Sequence, residues 1–599
     1  LPSTGGTVTT LAVLLPLTLL GGFVGELFRP LALTLIFALS VSLVVSLTVV
    51  PLIAALWTRT GTQKSLFERL LAPFDKAVLA LRDIYLGLLA GGLRHPLAAV
   101  ALTLAVLAAS LVLLRMGGSE MLPRFDSGSF RVLVDVVPGT RLEQTQARVA
   151  TIEQALLAEP AVTNVSTRIG YEQGARYLGG RGAMDTHQAE ISVDLTARNQ
   201  RHDSQWQIME RMRQQVLLLP GVTLGVFQEQ GGTARPTTAA PLVVEISGPD
   251  PVRLNALADQ LETRLQRISG VRDPYKSWAL DRPEVRLALD RERAAELGLR
   301  GTDIARTLYR ALDGETVTPY RQRGLRDLDL VVRYRASDRQ HWEDLAGVVL
   351  TGPDGTSVPL SEVAAFTPAF GPRLISREDF RRTLEVRAWV SGERPLSHIV
   401  NDLESALADV ALPAGYAAVI TGEQKDMAEA QGRLLRALGL SAVAVYLLLL
   451  VQFRSFLHPL VVMSAVPLQF IGVAAALVVA GKYLSMPAML GIVLLVGIVV
   501  NNSIILVEFA LERLGDGMAI DEALQAAVAT RFRPVMMTAL STVAGMLPLA
   551  LELAVGSERF SPIATVIVGG LLASTLLTLV IVPVLLKAAV ARQKRASAL

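Results

Sequence analysis

One stretch of this sequence occurs twice, near opposite ends of the chain, at a constant offset of 532 residues. The first copy, LPLTLLGGFVGELFRPLAL, begins at Leu15, and the second, LPLALELAVGSERFSPIAT, begins at Leu547. Pro16 matches Pro548, Glu26 matches Glu558, Phe28 matches Phe560, Pro30 matches Pro562 and Pro51 matches Pro583, without a gap. Each copy reads as two apolar helices joined by a tight polar turn, so the chain is expected to be a membrane protein built by duplication. The second copy follows a long module with several further apolar runs, whereas the first begins almost at residue 1. The expectation is one complete half of a two-half protein together with the tail of the other half.

Composition narrows the class further. With 51% hydrophobic and 19% charged residues over 599 positions, there is room for both a membrane bundle and a large aqueous part. A net charge of +3 is too small for this length to argue for a nucleic-acid partner. The chain has no cysteine, which excludes disulfides, thiolate metal sites and thiol chemistry. No basic segment precedes the first apolar run, so the start does not read as a signal peptide. No GxxxxGK[ST] loop and no GxSxG elbow occurs, which disfavours ATP-driven and serine-hydrolase chemistry.

A hydrocarbon core of about 30 Å needs roughly 20 apolar residues per helix. Such runs occur near 8–26, 31–56, 97–115, 432–451, 458–480, 487–509, 534–554 and 562–586, predicting eight spans. The connections on one side carry fourteen Lys and Arg, from Arg59, Lys64 and Arg69 through Arg454, Arg531 and Arg533 to Arg595. Those on the other side carry three: Arg29, Lys482 and Arg559. The first set is therefore expected in the cytoplasm, and the long segment 116–431 outside it. The linker 58–96 mixes Phe67, Leu70, Phe74, Val78 and Leu81 with charges at helical spacing and predicts an amphipathic surface helix.

The long segment alternates strand and helix patterns. A strand at 130–137, a helix at 141–160, strands at 162–170 and 189–195, a helix at 203–219 and a strand at 221–229 make a split β-α-β unit of the ferredoxin-like kind. A second unit opens with 241–249, a helix at 251–269 and a strand from Val271. It resumes at 381–390, with a helix at 395–410 and a strand at 416–424. Between its halves, residues 283–372 read as an insertion of short helices and hairpins, with GPDGTS (352–357) at a hairpin tip.

GIVVNNSIILVEFA (497–510), RFRPVMMTALSTVAGMLPLAL (531–551) and RFSPIATVIVGG (559–570) resemble the C-terminal half of a resistance–nodulation–division (RND) efflux transporter. GEQKDMAEA (422–430) and FRSFLHPLVVMSAVPL (453–468) resemble that family too, and the matches fall in the family's order. The branch suggested is that exporting hydrophobic or amphiphilic compounds. The resemblance implies an α-helical multi-span membrane bundle with an extracytoplasmic α+β porter domain and an inserted docking subdomain. In those terms 1–57 are the last two membrane helices of the first half, 58–96 the cytoplasmic linker and 97–116 a membrane helix. Residues 117–239 form the first porter subdomain, and 240–282 with 373–426 the second. Residues 283–372 are the docking subdomain, and 427–599 are five closing helices with a short cytoplasmic tail. The resemblance also implies a transporter rather than an enzyme, driven by the proton motive force without a bound cofactor. It further implies a homotrimer in the bacterial inner membrane, with 117–426 in the periplasm meeting an adaptor protein and an outer-membrane channel.

Polar side chains within a span are costly and mark functional candidates. Asn501 and Asn502 interrupt one apolar run, and Thr538 the next. By resemblance, Asn501, Asn502, Thr538 and Arg531 belong to a proton relay. The position of Asn501 is often Lys in the family, facing acidic residues from a helix that the repeat offset places before Leu1. An amide can hydrogen-bond a carboxyl in either protonation state but supplies no counter-charge. The alternative is that these polar groups only glue helices together, and that Arg531 anchors its helix at the membrane surface. Glu508, near a helix end, is expected to be solvated.

By the resemblance, the loop 171–188 is expected to match a substrate-gating stretch of the drug-exporting branch. Tyr171 and Tyr177, with Arg176 and Arg181, are the candidate substrate-path residues; a mobile surface loop with incidental Tyr is the alternative. Export of a soft metal ion would want clustered thioethers. Met121, Met184, Met209, Met212 and Met427 are scattered, and Met184 stands alone near His187, so no metal site is expected. Two further alternatives are a non-transporting fragment acting as an assembly module and a heavy-metal-ion exporter of the same superfamily. Protein- or lipid-exporting branches are disfavoured by the docking-like insertion.

Overall fold

A computed structural model describes residues 2–57, 66–170, 184–230, 239–321, 323–324, 327–372 and 374–597. The chain opens with α1 (Pro2–Thr18) and α2 (Gly22–Trp57), followed by α3 (Leu66–Arg94) and α4 (Pro96–Met116). Among the described residues seven helices are long and apolar enough to cross a membrane, and Thr4–Thr18 is a shorter apolar helix. The spans read from the sequence, 8–26 and 31–56, put the break of the first repeat at 27–30; the structure places it at Leu19–Gly21. Gly22 takes φ +68°, the left-handed region that ends or starts helices cheaply only for glycine. Pro30 then falls inside α2, where the carbonyl it frees from the helix ladder is tolerated. In the second copy the break spans Leu551–Phe560, and Pro562 sits in the first turn of its helix. The copies share residues, but not the position of their turn.

The aqueous part begins with β1 (Ser119–Glu120). β2 (Ser129–Val136), α5 (Leu142–Leu157), β3 (Val162–Ile169), β4 (Gln188–Leu195), α6 (Gln205–Leu217) and β5 (Val222–Glu229) follow. The sheet order β3-β4-β2-β5, antiparallel throughout, is the split β-α-β arrangement read from the sequence. Alternate strand residues Phe130, Val132 and Val134 bury against Val149 and Ile152 of α5 and Ile208 and Met212 of α6. Ser204 caps α6 in a reciprocal capping box with Gln207.

The second unit repeats the plan with β6 (Leu242–Ser247), α7 (Pro251–Gln266) and β7 (Val271–Lys276). Then comes an insertion, made of β8 (Arg282–Leu289), α8 (Arg291–Glu296), α9 (Gly301–Leu312), and the hairpin β9 (Glu315–Tyr320) and β10 (Leu328–Val332). It continues with the hairpin β11 (Val349–Thr351) and β12 (Ser357–Pro359), and with β13 (Ala364–Gly371), which pairs back onto β8. The unit closes with β14 (Ser376–Glu378), β15 (Arg381–Val390), α10 (Leu396–Ala408) and β16 (Ala417–Gly422). β15 lies between β7 and β6, and β16 on the other side of β6, so the strand order matches the first unit.

The remaining helices are α11 (Glu423–Phe453), α12 (Leu457–Met463), α13 (Ala465–Val479), α14 (Met486–Gly515), α15 (Ile520–Ala550) and α16 (Ser561–Ser597), with β17 (Leu484–Ser485) ahead of α14. α14 is buried along most of its length and forms the axis of the bundle. Gly472 and Gly569 let α13 and α16 meet backbone to backbone, since a β-carbon on either would overlap the other helix. Lys482 Nζ ties three elements near the aqueous domain: it pairs with Glu552 at 2.9 Å, donates to Ala550 O at 3.0 Å and reaches Thr565 Oγ1 at 3.2 Å. At the opposite end, Lys587 Nζ pairs with Asp521 at 2.7 Å and donates to Leu93 O at 3.2 Å. The amphipathic linker helix α3 therefore packs on α15 and α16, with the Tyr85 and Phe532 rings 5.5 Å apart.

Candidate functional site

The intramembrane candidates do not form one hydrogen-bonded cluster. Asn501, half-buried on α14, faces α1, where a β-carbon at Gly6 would overlap its Oδ1. That buried Oδ1 has no hydrogen-bond partner. Asn502 is also half-buried. Thr538 lies on an exposed face of α15 and donates its hydroxyl to Val535 O at 2.9 Å within its own helix. Arg531 stacks on the Phe509 ring at 4.7 Å, with Arg513 on the same ring at 5.0 Å. Phe509 lies eight residues beyond Asn501 on α14, about 12 Å along the axis. Glu508, expected to be solvated, is half-buried and has one carboxylate oxygen enclosed without a partner.

The α1 seam adds polar groups that the sequence reading missed. Gln452 of α11 presses on Gly5 with its Oε1 buried and unpartnered, beside Asn501 on Gly6. Thr10 Oγ1 reaches Gly497 O at 3.4 Å, and Ser441 Oγ donates to Val13 O at 2.9 Å. Glycine pairs permit this close approach. The signal was a lone Gln ending an apolar run and a Gly-Gly in the first helix, both weak in sequence alone.

Outside the bundle, the two α/β units face each other across a cleft of about 470 Å³. Trp206, Phe227 and Trp389 supply its aromatic walls, and Met209, Arg272 and Glu393 also line it. The charges in it are mostly paired: Arg213 contacts Glu210 at 2.8 Å and, across the cleft, Asp273 at 3.2 Å. The hydrogen bond from Arg213 holds the Glu210 carboxyl below its ordinary range. Burial pushes Asp273 up despite the same guanidinium. At the floor, Arg124 pairs with Glu229 of β5, donates to the Ser391 carbonyl beyond β15, and lies 4.8 Å over the Trp206 ring.

Below that floor the aqueous domain meets the bundle. β1 pairs in parallel with β17, setting Glu120 beside Ser485 at the head of α14. Glu120, Glu423 of α11, Arg124 and Glu229 line a smaller cavity there. Burial, then the neighbouring Glu423, pushes the Glu120 carboxyl up to about 7, against the opposing pull of Arg124. Arg559, ahead of α16, stacks on Phe125 at 4.4 Å. The sequence did not show that these residues meet, because several of them lie hundreds of residues apart.

Tyr171, Arg176, Tyr177 and Arg181 lie outside the described residues. Of the methionines, Met209 and Met212 sit in the core of the first unit and Met121 and Met427 in the core of the bundle. Among the described residues no group of three or more His, Cys, Asp or Glu is arranged to hold a metal ion.

The sequence profile of the AcrB/AcrD/AcrF family matches residues 1–589. Among solved structures the chain is similar to a heavy metal efflux pump in two crystal forms. The TM-scores are 0.84 and 0.83, and the identities 26% and 27%. Each match covers 98% of this chain and 57% of the other, so the chain spans little more than half the length of that pump.

Proposed function

Because the chain belongs to the AcrB/AcrD/AcrF family of RND efflux transporters, we propose that it serves in proton-driven export of hydrophobic or amphiphilic compounds. The observation that carries this reading is the cleft between the α/β units. Trp206, Phe227 and Trp389 offer apolar faces, while the surrounding charges are largely neutralised by one another. Such a surface accepts bulky apolar bodies with a polar handle. Tyr171, Arg176, Tyr177 and Arg181 belong to the substrate path in this reading. Asn501, Asn502, Thr538 and Arg531 belong to the proton relay, in which the unpartnered Asn501 oxygen is available to a carboxylic acid or a water.

The working assembly in this reading is a homotrimer in a bacterial inner membrane, with 117–426 in the periplasm against an adaptor protein and an outer-membrane channel. A second reading, heavy-metal-ion export, is favoured by the similarity to a heavy metal efflux pump. Against it, Met212 fills the core of the first unit, Met209 is a lone thioether among the residues lining the cleft, and the cleft floor is built from Arg and Glu rather than soft ligands. Resistance profiling of the complete gene in a pump-deficient host separates the two. Raised tolerance to amphiphilic dyes and detergents is expected. Raised tolerance confined to silver or copper salts would overturn the organic reading.

A further inference from the structure

Arg124 belongs to neither α/β unit. It lies on the segment between β1 and β2, ahead of the first strand of either unit, yet its guanidinium reaches both. One nitrogen pairs with Glu229 in the first unit, whose side chain is only 6% exposed, and another donates to the Ser391 carbonyl of the second unit. Its flat face covers Trp206, which fixes the plane of the fork. Arg213 and Asp273 also bridge the units, from α6 to β7, but do not touch the linker to the membrane. This arrangement leaves Arg124 Nε, Trp206 Nε1 and Trp389 Nε1 buried without acceptors. Each such group costs about 1–3 kcal/mol, so this arrangement needs contacts that hold it.

We propose that Arg124 is a positioning residue that latches the cleft at its present width, tying Ser391 of one unit to Glu229 of the other from the segment that leads into the membrane bundle. Widening the cleft breaks one of the two contacts. A movement of α4 relative to the aqueous domain pulls on the same side chain, so the latch connects cleft width to the bundle. The proposal rests on reading the cleft as the substrate path.

The sequence has no cysteine, so two introduced thiols report without background. Asn164→Cys on β3 and Glu404→Cys on α10 are both exposed, one on each unit. Spin labels there in the purified full chain give a distance distribution by double electron–electron resonance. Arg124→Ala is expected to move the closed-to-open ratio at least about tenfold toward the longer distance, as loss of a charge-assisted hydrogen bond would. Arg124→Lys keeps the charge but not the fork, and is expected to restore the ratio in part. Distributions for both variants that overlay the parent would overturn the proposal. If the alanine variant does not fold, the lysine variant decides by the same criterion. A widened distance with unchanged export of every amphiphile would leave the latch standing and remove the cleft from the substrate path.

Discussion

Asn501 of α14 rests directly on Gly6 of α1, in a contact that leaves no room for a β-carbon. Two helices whose residues lie almost five hundred positions apart thus meet at one polar group. Gly6→Ala is expected to lower stability by about 1–3 kcal/mol through overpacking, read as a reduced melting temperature in detergent. Asn501→Ala should relieve most of that loss when the two are combined, giving a strongly non-additive cycle. Additive effects would mean that the two residues are not in contact.

Thr538 donates only within its own helix and keeps an exposed face, free for another helix or a water chain. If it belongs to the proton relay, Thr538→Ala should reduce proton-coupled export severalfold in the complete transporter while leaving assembly intact. General proton transfer groups contribute about 100-fold or more where they are essential, and a hydroxyl that only orients water contributes less. Undiminished drug resistance at equal expression would remove Thr538 from the relay. Arg531→Lys separates the relay from anchoring: stacking on Phe509 tolerates Lys poorly, so an anchoring role predicts lost stability with unchanged coupling.

The β-α-β units were legible because apolar residues recur at alternate strand positions, as at Phe130, Val132 and Val134, and each helix carries its own apolar stripe. The hairpin tip at 352–357 was legible from Gly, Pro and Asp, and the strands at 349–351 and 357–359 flank it. The first repeat misled at its turn. The apolar runs 8–26 and 31–56 leave the break at 27–30, but the chain has already turned at the left-handed Gly22, and Pro30 lies inside α2. The candidate site was less legible for a different reason. Arg124 meets residues 105 and 267 positions away, and sequence spacing carries no information about which distant charges converge.

Lys482 holds the ends of α13, α15 and α16 together through Glu552, the Ala550 carbonyl and Thr565. Its side chain is 15% exposed and that of Glu552 35%, so solvent screens part of the attraction. Lys482→Met should cost about 1–2 kcal/mol, chiefly from the loss of its hydrogen bonds to the Ala550 carbonyl and the Thr565 hydroxyl. Glu552→Gln should cost less, because the ammonium keeps its other partners. Equal losses from both variants in thermal unfolding would assign the stability to the ion pair instead.

Glu120 gives the joint between bundle and aqueous domain a pH dependence of unusual sign. Its carboxyl is raised from an ordinary 4.5 to about 7 by burial and by Glu423, so the folded protein holds a proton that the unfolded chain releases. Its contribution to stability is therefore fully present below about 4.5 and is lost as pH rises through about 7. The groups around it set this balance: Glu423 on α11 and Tyr483 ahead of β17 meet it electrostatically, Arg124 opposes the shift, and Glu229 and Arg394 line the same cavity. Glu120→Gln keeps the neutral form at every pH. It should leave the melting temperature unchanged near pH 4.5 and raise it by a few degrees above pH 7, with the gain developing between those values. A gain that is constant with pH would mean that Glu120 does not titrate in this window, and a loss above pH 7 would mean that its charge is paired.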